Sequence, residues 1–272
     1  MRKAAMLFTL SMAGAGYCLD EYLPIEAKKL EVDVGYGFMS QTGAYDSSGS
    51  KQDLPSGFST SGHLIPLQIK YGIMPGLEVS LGWAFSIISS EMDLPFIGKV
   101  DTSFSGFAQP DIAVKYALTD LGLGFFADFT APFATGDFAD PDQPPMALGF
   151  GALFTKTFMP NFRLTSMAQY RLNFEAEDKS KDGNVISILA KPEFVINPFA
   201  GVYLGLREDI HSESEFDGTG ADDGGHVFTL FPGWNALWLP NVATEVNVPI
   251  TLFGKNADAT WGINASVYVT LL

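Results

Sequence analysis

The 272-residue sequence holds one cysteine, Cys18, three histidines and no long apolar run, and each shortage removes a class of protein. A lone cysteine cannot close a disulfide within the chain. Lipidated cysteines follow a small residue, so Tyr17 in front of Cys18 argues against a lipid anchor. A membrane helix needs about 18 uninterrupted apolar residues, yet past the N-terminal segment a Gly, Pro or charged side chain arrives every few positions. Metal chemistry lacks ligands, because His63, His211 and His226 are scattered and show no metal-site spacing. Nucleophilic chemistry lacks a His and a Ser two apart on one strand face: His63 precedes Leu64 and Ile65, His211 precedes Ser212 directly, and His226 precedes Val227 and Phe228. The reading is therefore no enzyme, no cofactor and no metal. Bases are also scarce, 16 against 31 acids, and a net charge of −15 argues against nucleic acid as a partner.

What is present begins with an export address. Arg2 and Lys3 precede an apolar run over residues 4–12 and the small residues Ala13, Gly14, Ala15 and Gly16, so residues 1–18 are expected to be a signal peptide and the mature chain to start near Gly16 or Leu19. Beyond it, 47% apolar residues, 13% aromatics and 28 glycines suit many short strands better than a disordered chain.

A two-residue period carries the fold. Leu30, Val32, Val34, Tyr36 and Phe38 alternate with Glu31, Asp33, Gly35 and Gly37, giving one apolar and one polar or small face. The pattern returns at His63–Tyr71, Leu77–Ile87, Ile112–Leu118, Leu123–Phe129, Leu148–Phe154, Phe162–Phe174 and Ile186–Phe194. Further candidates are Ala200–Leu206, a blurred Val227–Trp238, Val242–Leu252 and Trp261–Leu271, which brings the count to about twelve. Connectors alternate between short, at Pro75-Gly76, Thr119-Asp120, Pro160-Asn161, Asn197-Pro198 and Pro240-Asn241, and long, at about 41–62, 88–109, 132–146, 175–184, 208–225 and 253–260. Strands of about ten residues with short turns on one side and long loops on the other are the signature of an all-β, transmembrane, antiparallel up-and-down barrel of the bacterial outer membrane. Residues 19–272 are read as that single domain. Tyr71, Trp83, Phe162, Phe174, Trp234, Trp238 and Trp261 are expected in interfacial girdles. A soluble β-sandwich, with these aromatics as its core, offers no reason for the short–long rhythm.

Charge sorts by side. The six long segments hold 20 acids and 5 bases, which is the whole net charge, while the rest of the chain is balanced. Such a rim would concentrate cations, and could bind divalent cations shared with surface lipids. Opposite the lipid-facing positions the alternation places Glu31, Asp33, Lys70, Glu78, Asp111, Lys115, Asp128, Arg163, Arg171, Lys191, Glu193, Arg207 and Glu245. Charges inside a wall must pair or line water, so these thirteen are the candidates for pore-lining or solute-binding residues, with Asp111, Lys115, Asp128, Arg163 and Arg171 expected in one cluster. With about a dozen residues between the export segment and the first strand, no plug domain is expected.

Three stretches, Tyr71-Gly72-Ile73 leading into Leu77-Glu78-Val79, Pro110-Asp111-Ile112-Ala113-Val114-Lys115-Tyr116, and Ala131-Pro132 with Thr135-Gly136-Asp137, resemble an outer-membrane family labelled as a MetA pathway of phenol degradation. Here Phe133 and Ala134 interrupt a Pro-Thr-Gly-Asp run that the family shows unbroken. The resemblance implies a barrel embedded in outer-membrane lipid that passes small, often apolar or aromatic, solutes. The alternatives are a structural or adhesive barrel with a closed lumen and, less favoured, a lipid-modifying enzyme.

Overall fold

The computed structural model describes residues 23–94, 98–138, 146–176 and 178–271; the expected signal peptide, Cys18, Asp140, Asp142 and Glu177 lie outside them. Twelve antiparallel staves form the wall: β1 (Leu30–Tyr45), β2 (Phe58–Met74), β3 (Leu77–Leu94), β4 (Gly98–Phe107 with Asp111–Leu118), β5 (Leu123–Thr130), β6 (Ala147–Met159), β7 (Phe162–Asn173), β8 (Val185–Asn197), β9 (Ala200–His211), β10 (Gly225–Leu239), β11 (Val242–Asn247 with Ile250–Lys255) and β12 (Ala257–Leu271). Each pairs with its neighbour in sequence, and β12 returns to β1 in register from Leu30↔Leu271 to Tyr45↔Ala257, with a bulge between Gln41 and Gly43. Closure leaves the wall without an unpaired edge, as a sheet in lipid requires.

Prolines mark the two interrupted staves. Across β3, residues 108–110 of β4 stand against only Trp83 and Ala84, so one residue is extra and Pro110 sits in the resulting bulge, where a missing N–H costs little. The bulge is held by Ala108 N–H to Ala84 O and by Trp83 Nε1–H to Ala108 O, both 2.8 Å. In β11 the break falls at Val248-Pro249, where Val248 N–H still donates to Pro232 O at 3.0 Å.

Alternation decides the two faces. Ile65, Leu67, Ile69, Leu81, Ile112, Val114, Tyr116, Phe150, Ile188 and Val267 point outward and are exposed, with Val114 at 46%, while the intervening positions are buried. An exposed apolar belt of this extent has to be covered by lipid.

The short turns lie where expected, at residues 75–76, 119–122, 160–161, 198–199 and 240–241. The long connectors differ. Residues 88–109 are mostly a hairpin in which β3 and the first part of β4 continue outward, from Phe85↔Phe107 to Leu94↔Gly98. Residues 253–260 are a tight turn at Asn256, whose φ is 48°. Outside the lipid a strand needs no apolar phase, so sequence alternation ends before the strand does. The loops after β7 and β9 dock through a three-stranded sheet, Ser180–Lys181, Glu215–Phe216 and Thr219–Gly220.

Residues 23–29 do not continue β1. Lys28, at φ 65°, and a Lys29 N–H to Glu26 O bond turn the chain across the end that carries the short turns.

Val114→Arg places a cation in the outward belt and should cost about 2–4 kcal/mol near the midplane. Loss of the heat-modifiable folded band on a gel, or a lower midpoint of urea unfolding in micelles, checks it; parent-like behaviour would contradict the outward assignment of Val114.

Candidate functional site: the inner wall

All thirteen charged candidates lie on staves at inward-phase positions, and Lys70, Glu78, Lys115 and Lys191 are each 1% exposed. They form pairs at several heights along the barrel. Near the short-turn end, Lys70 Nζ meets Glu31 Oε1 at 2.8 Å while Thr270 Oγ1 donates to Glu31 Oε2 at 3.1 Å. Lys115 Nζ lies 3.5 Å from Glu78 Oε1. Arg163 donates through Nε and Nη2 to Glu193 Oε2, at 3.0 and 2.6 Å, and Asn235 Nδ2 donates to Glu193 Oε1 at 3.1 Å. Burial of charge at this depth is tolerable because these groups face a charge of opposite sign, reinforced in the Glu31 and Glu193 pairs by further hydrogen bonds.

The expected single cluster is three separate ones. Asp111 accepts from Thr130, Thr130 accepts from Arg171 Nη2 at 2.5 Å, Arg171 Nη1 lies 3.9 Å from Asp128 Oδ1, and Gln169 Nε2 donates to Asp128 Oδ2 at 2.9 Å. Lys115 and Arg163 belong elsewhere, to Glu78 and Glu193. Asp111 and Lys115 do share a face, but four residues of strand separate them by about 13 Å. Further toward the outer rim, Arg207 Nε contacts Asp209 Oδ2 at 2.8 Å and Ser187 Oγ donates to Asp209 Oδ1 at 2.5 Å. Glu208, Asp209 and Asp258 are thus parts of staves and not of loops.

The sequence reading missed an apolar belt within the same wall. Phe126, Leu153, Met167, Leu189, Tyr203 and Phe231 come one each from β5 to β10, occupy inward positions and pack as one buried cluster. Leu153, Met167 and Leu189 are direct cross-strand partners. The rings fit because glycines face them: a Cβ on Gly205 would fall 2.0 Å from Phe231, one on Gly233 2.4 Å from Tyr203, and one on Gly151 2.6 Å from Phe126. The rings are therefore laid over bare backbone of the neighbouring stave. A signal was present: each of these strands carries one large apolar residue out of phase, commonly flanked by Gly, as in Gly201-Val202-Tyr203-Leu204-Gly205.

Tyr203 joins the apolar belt to the ion pairs. Its ring lies edge-on to Phe231 at 6.3 Å, Lys191 Nζ sits 4.1 Å above it, and its hydroxyl donates to Glu245 Oε1 at 2.5 Å. Lys191 itself reaches Glu245 Oε1 at 2.7 Å, so β8, β9 and β11 are tied across the inward face of β10. A smaller apolar patch of Leu64, Ala84 and Ile88, with Met39, Ala108 and Phe138 against it, lies toward the outer end.

At the rim, Asp46 accepts from Ser48 and Ser50, which pulls its carboxyl down to about 2, whereas burial and the nearby Asp223 push Asp182 up. Lys179 and Lys181 pair with Asp217 and Glu215 at 2.6 and 3.7 Å. Among the described residues no group of three or more His, Cys, Asp or Glu is arranged to hold a metal ion.

A closed twelve-stave wall, with a continuous apolar belt outside and paired charges, glycines and an apolar cluster inside, defines a bacterial outer-membrane β-barrel. No protein-family model matches the sequence, and no curated protein matches it significantly. Solved structures do. The chain is similar to the COG4313 outer membrane channel from Pseudomonas putida F1, with a TM-score of 0.78 at 16% identity over 93% of this chain and 100% of that one. It is less similar to the translocator domain of the autotransporter NalP from Neisseria meningitidis, at TM-score 0.54 and 8% identity over 98% and 94% of the two chains. The transport unit of the autotransporter AIDA-I from Escherichia coli gives 0.50 at 10% identity over 98% and 97%. These likenesses show the fold, and they accord with the barrel that the Tyr71-to-Asp137 resemblance implies.

Removing one partner of the Lys191–Glu245 pair strands a buried charge. Lys191→Met should therefore destabilise the barrel by about 3–5 kcal/mol, while Lys191→Met with Glu245→Leu should recover most of that loss. Urea midpoints of the three proteins in micelles check this; an additive double variant would show that the pair is not coupled.

Proposed function

We propose that this barrel is an outer-membrane channel or transporter for small solutes, and that apolar or aromatic compounds are the class its inner wall suits. The observation that carries this is the apolar cluster on six successive inward faces. A barrel that needed only to fill its interior could do so with the paired polar groups used elsewhere on the wall. Apolar groups turned away from lipid are packed against one another here, and a solute that parted them would lose its water shell against them, at about 25 cal/mol per Å² covered. Similarity to a structure described as an outer membrane channel supports the reading.

A structural or adhesive barrel with a shut lumen is the second reading, and the near-complete burial of Lys70, Lys115 and Lys191 is what favours it. A silent barrel would pass nothing under any variant, so transport separates the two. No catalytic step is assigned to the chain under either reading. The acidic rim, including Glu213, Glu215, Asp217, Asp222 and Asp223, is proposed to enrich cations, divalent ones included, at the outer mouth.

Expressed in Gram-negative cells stripped of their general porins, the protein should raise uptake of radiolabelled toluene several-fold over empty-vector cells. Met167→Lys, which puts a cation on the apolar shelf, should abolish the gain while the folded band persists. Uptake equal to the empty vector, together with no conductance in planar bilayers, would reject the channel reading. In any open channel the five rim acids should give a cation-selective reversal potential at low salt that fades toward 1 M. Replacing all five by Asn or Gln should shift that potential toward zero, and no shift would remove the rim from the account.

A further inference from the structure

The outward apolar alternation of β3 and β4 ends at Ile87 and Phe107, and the hairpin above it has the opposite chemistry. On its outward face Ser89 stands opposite Ser103, Glu91 opposite Asp101 and Asp93 opposite Lys99, with Lys99 Nζ bonded to Glu91. Groups of this kind are expelled from hydrocarbon, so these rungs stand in water above the lipid. On the inward face the same stretch is largely apolar. Ile88 faces Phe104, and four residues further out, about 13 Å along the strand, Met92 lies between Val100 of β4 and Phe58 of β2. One hydroxyl rung separates them, made of Thr60, Ser90 and Thr102, in which Thr60 and Ser90 share a hydrogen bond of 3.1 Å.

This face runs into the lumen. Ile88 is 1% exposed and packs with Leu64 and Ala84 inside the outer mouth, against Met39, Ala108 and Phe138, whereas Phe58, Met92, Val100 and Phe104 are left half-buried. The hairpin is also braced at its base. Ser105 N–H donates to Asp137 Oδ2 at 2.8 Å and Phe107 N–H donates to Thr135 Oγ1 at 3.2 Å. An apolar strip held above the lipid needs a cover other than acyl chains, and its continuity with the inner wall points to the molecule that enters there. The strip itself carries no charge and the acids of the rim repel anions, so that molecule is uncharged.

We propose that the inward face of this hairpin, at Phe58, Met92, Val100 and Phe104, is a capture site on which an uncharged aromatic hydrocarbon leaves bulk water before it enters the lumen. The proposal rests on the channel reading and adds to it a site outside the membrane, separate from the apolar cluster of β5 to β10. Phe58 and Phe104 supply rings for the solute to lie against, and Met92 an adaptable thioether. The hydroxyl rung keeps the hold weak, so a captured molecule moves on toward Ile88. A site of this kind sets the concentration at which uptake is half-maximal and leaves the maximal rate to the lumen.

Uptake of radiolabelled toluene, measured against toluene concentration in porin-stripped cells expressing the full-length chain, tests this. Met92→Ser with Val100→Thr should raise the half-saturating concentration about ten-fold, with the maximal rate and the folded band unchanged. Should that pair fail to fold, Val100→Thr alone, which keeps a strand-favouring residue, should raise it about three-fold. Ser90→Val with Thr102→Val joins the two apolar rungs and should lower the half-saturating concentration, a gain that damage to the fold does not produce. Ser103→Thr on the outward face should change neither quantity, and Val100→Cys should stay monomeric on oxidation. A half-saturating concentration that no inward-face variant moves, or a fall in maximal rate alone, overturns the capture site and leaves the channel standing. Disulfide-linked dimers of Val100→Cys would assign the face to a second copy and overturn it too. No uptake by the parent overturns the channel reading, and the capture site falls with it.

Discussion

The structure depends on one constraint: in lipid, no backbone N–H or C=O of a strand can be left without a partner. The pairing of β12 with β1 meets it by removing both edges of the sheet at once. Closure divides every stave into a face toward hydrocarbon and a face toward the interior, and side-chain period two then separates their chemistries. Val114 between Ala113 and Lys115 shows this within three residues, the first lipid-facing and its two neighbours at most 1% exposed. Two prolines fall where the ladder is already interrupted, Pro110 in a bulge and Pro249 where the stave breaks, while Pro66, Pro192 and Pro232 lie within paired staves.

An interior made by closure has to satisfy itself. It does so with ion pairs reinforced by hydroxyl and amide donors and, between them along β5 to β10, with an apolar shelf whose rings rest on the glycines of adjoining staves. These are two different environments in one lumen, and Tyr203 belongs to both through its ring and its hydroxyl.

Most of the wall was legible in the sequence because lipid imposes a strict phase on it. Strands at Ile112–Leu118 and Leu123–Phe129, the short turns, and the inward placement of all thirteen charged residues follow from alternation alone. Partner identity did not follow, because it depends on which staves face one another across the lumen: Lys191 finds Glu245 54 positions away, over two intervening staves. The outer ends of β3 and β4 were read as loop, since Ser89, Ser90, Glu91 and Asp101 are in water and carry no apolar phase. The apolar shelf escaped notice because each stave contributes only one member, which looks like noise within a single strand and becomes a pattern only when β5 to β10 are laid side by side.

The most direct test of the account is methyl NMR of the barrel in lipid nanodiscs during titration with toluene. Saturable shifts confined to the methyls of Leu153, Met167 and Leu189, with Leu81, Ile112 and Leu148 changing only in proportion to toluene dissolved in the lipid, are the predicted result. If instead the inward methyls stay unchanged while the outward ones respond, the inner shelf takes no apolar solute and the account is wrong.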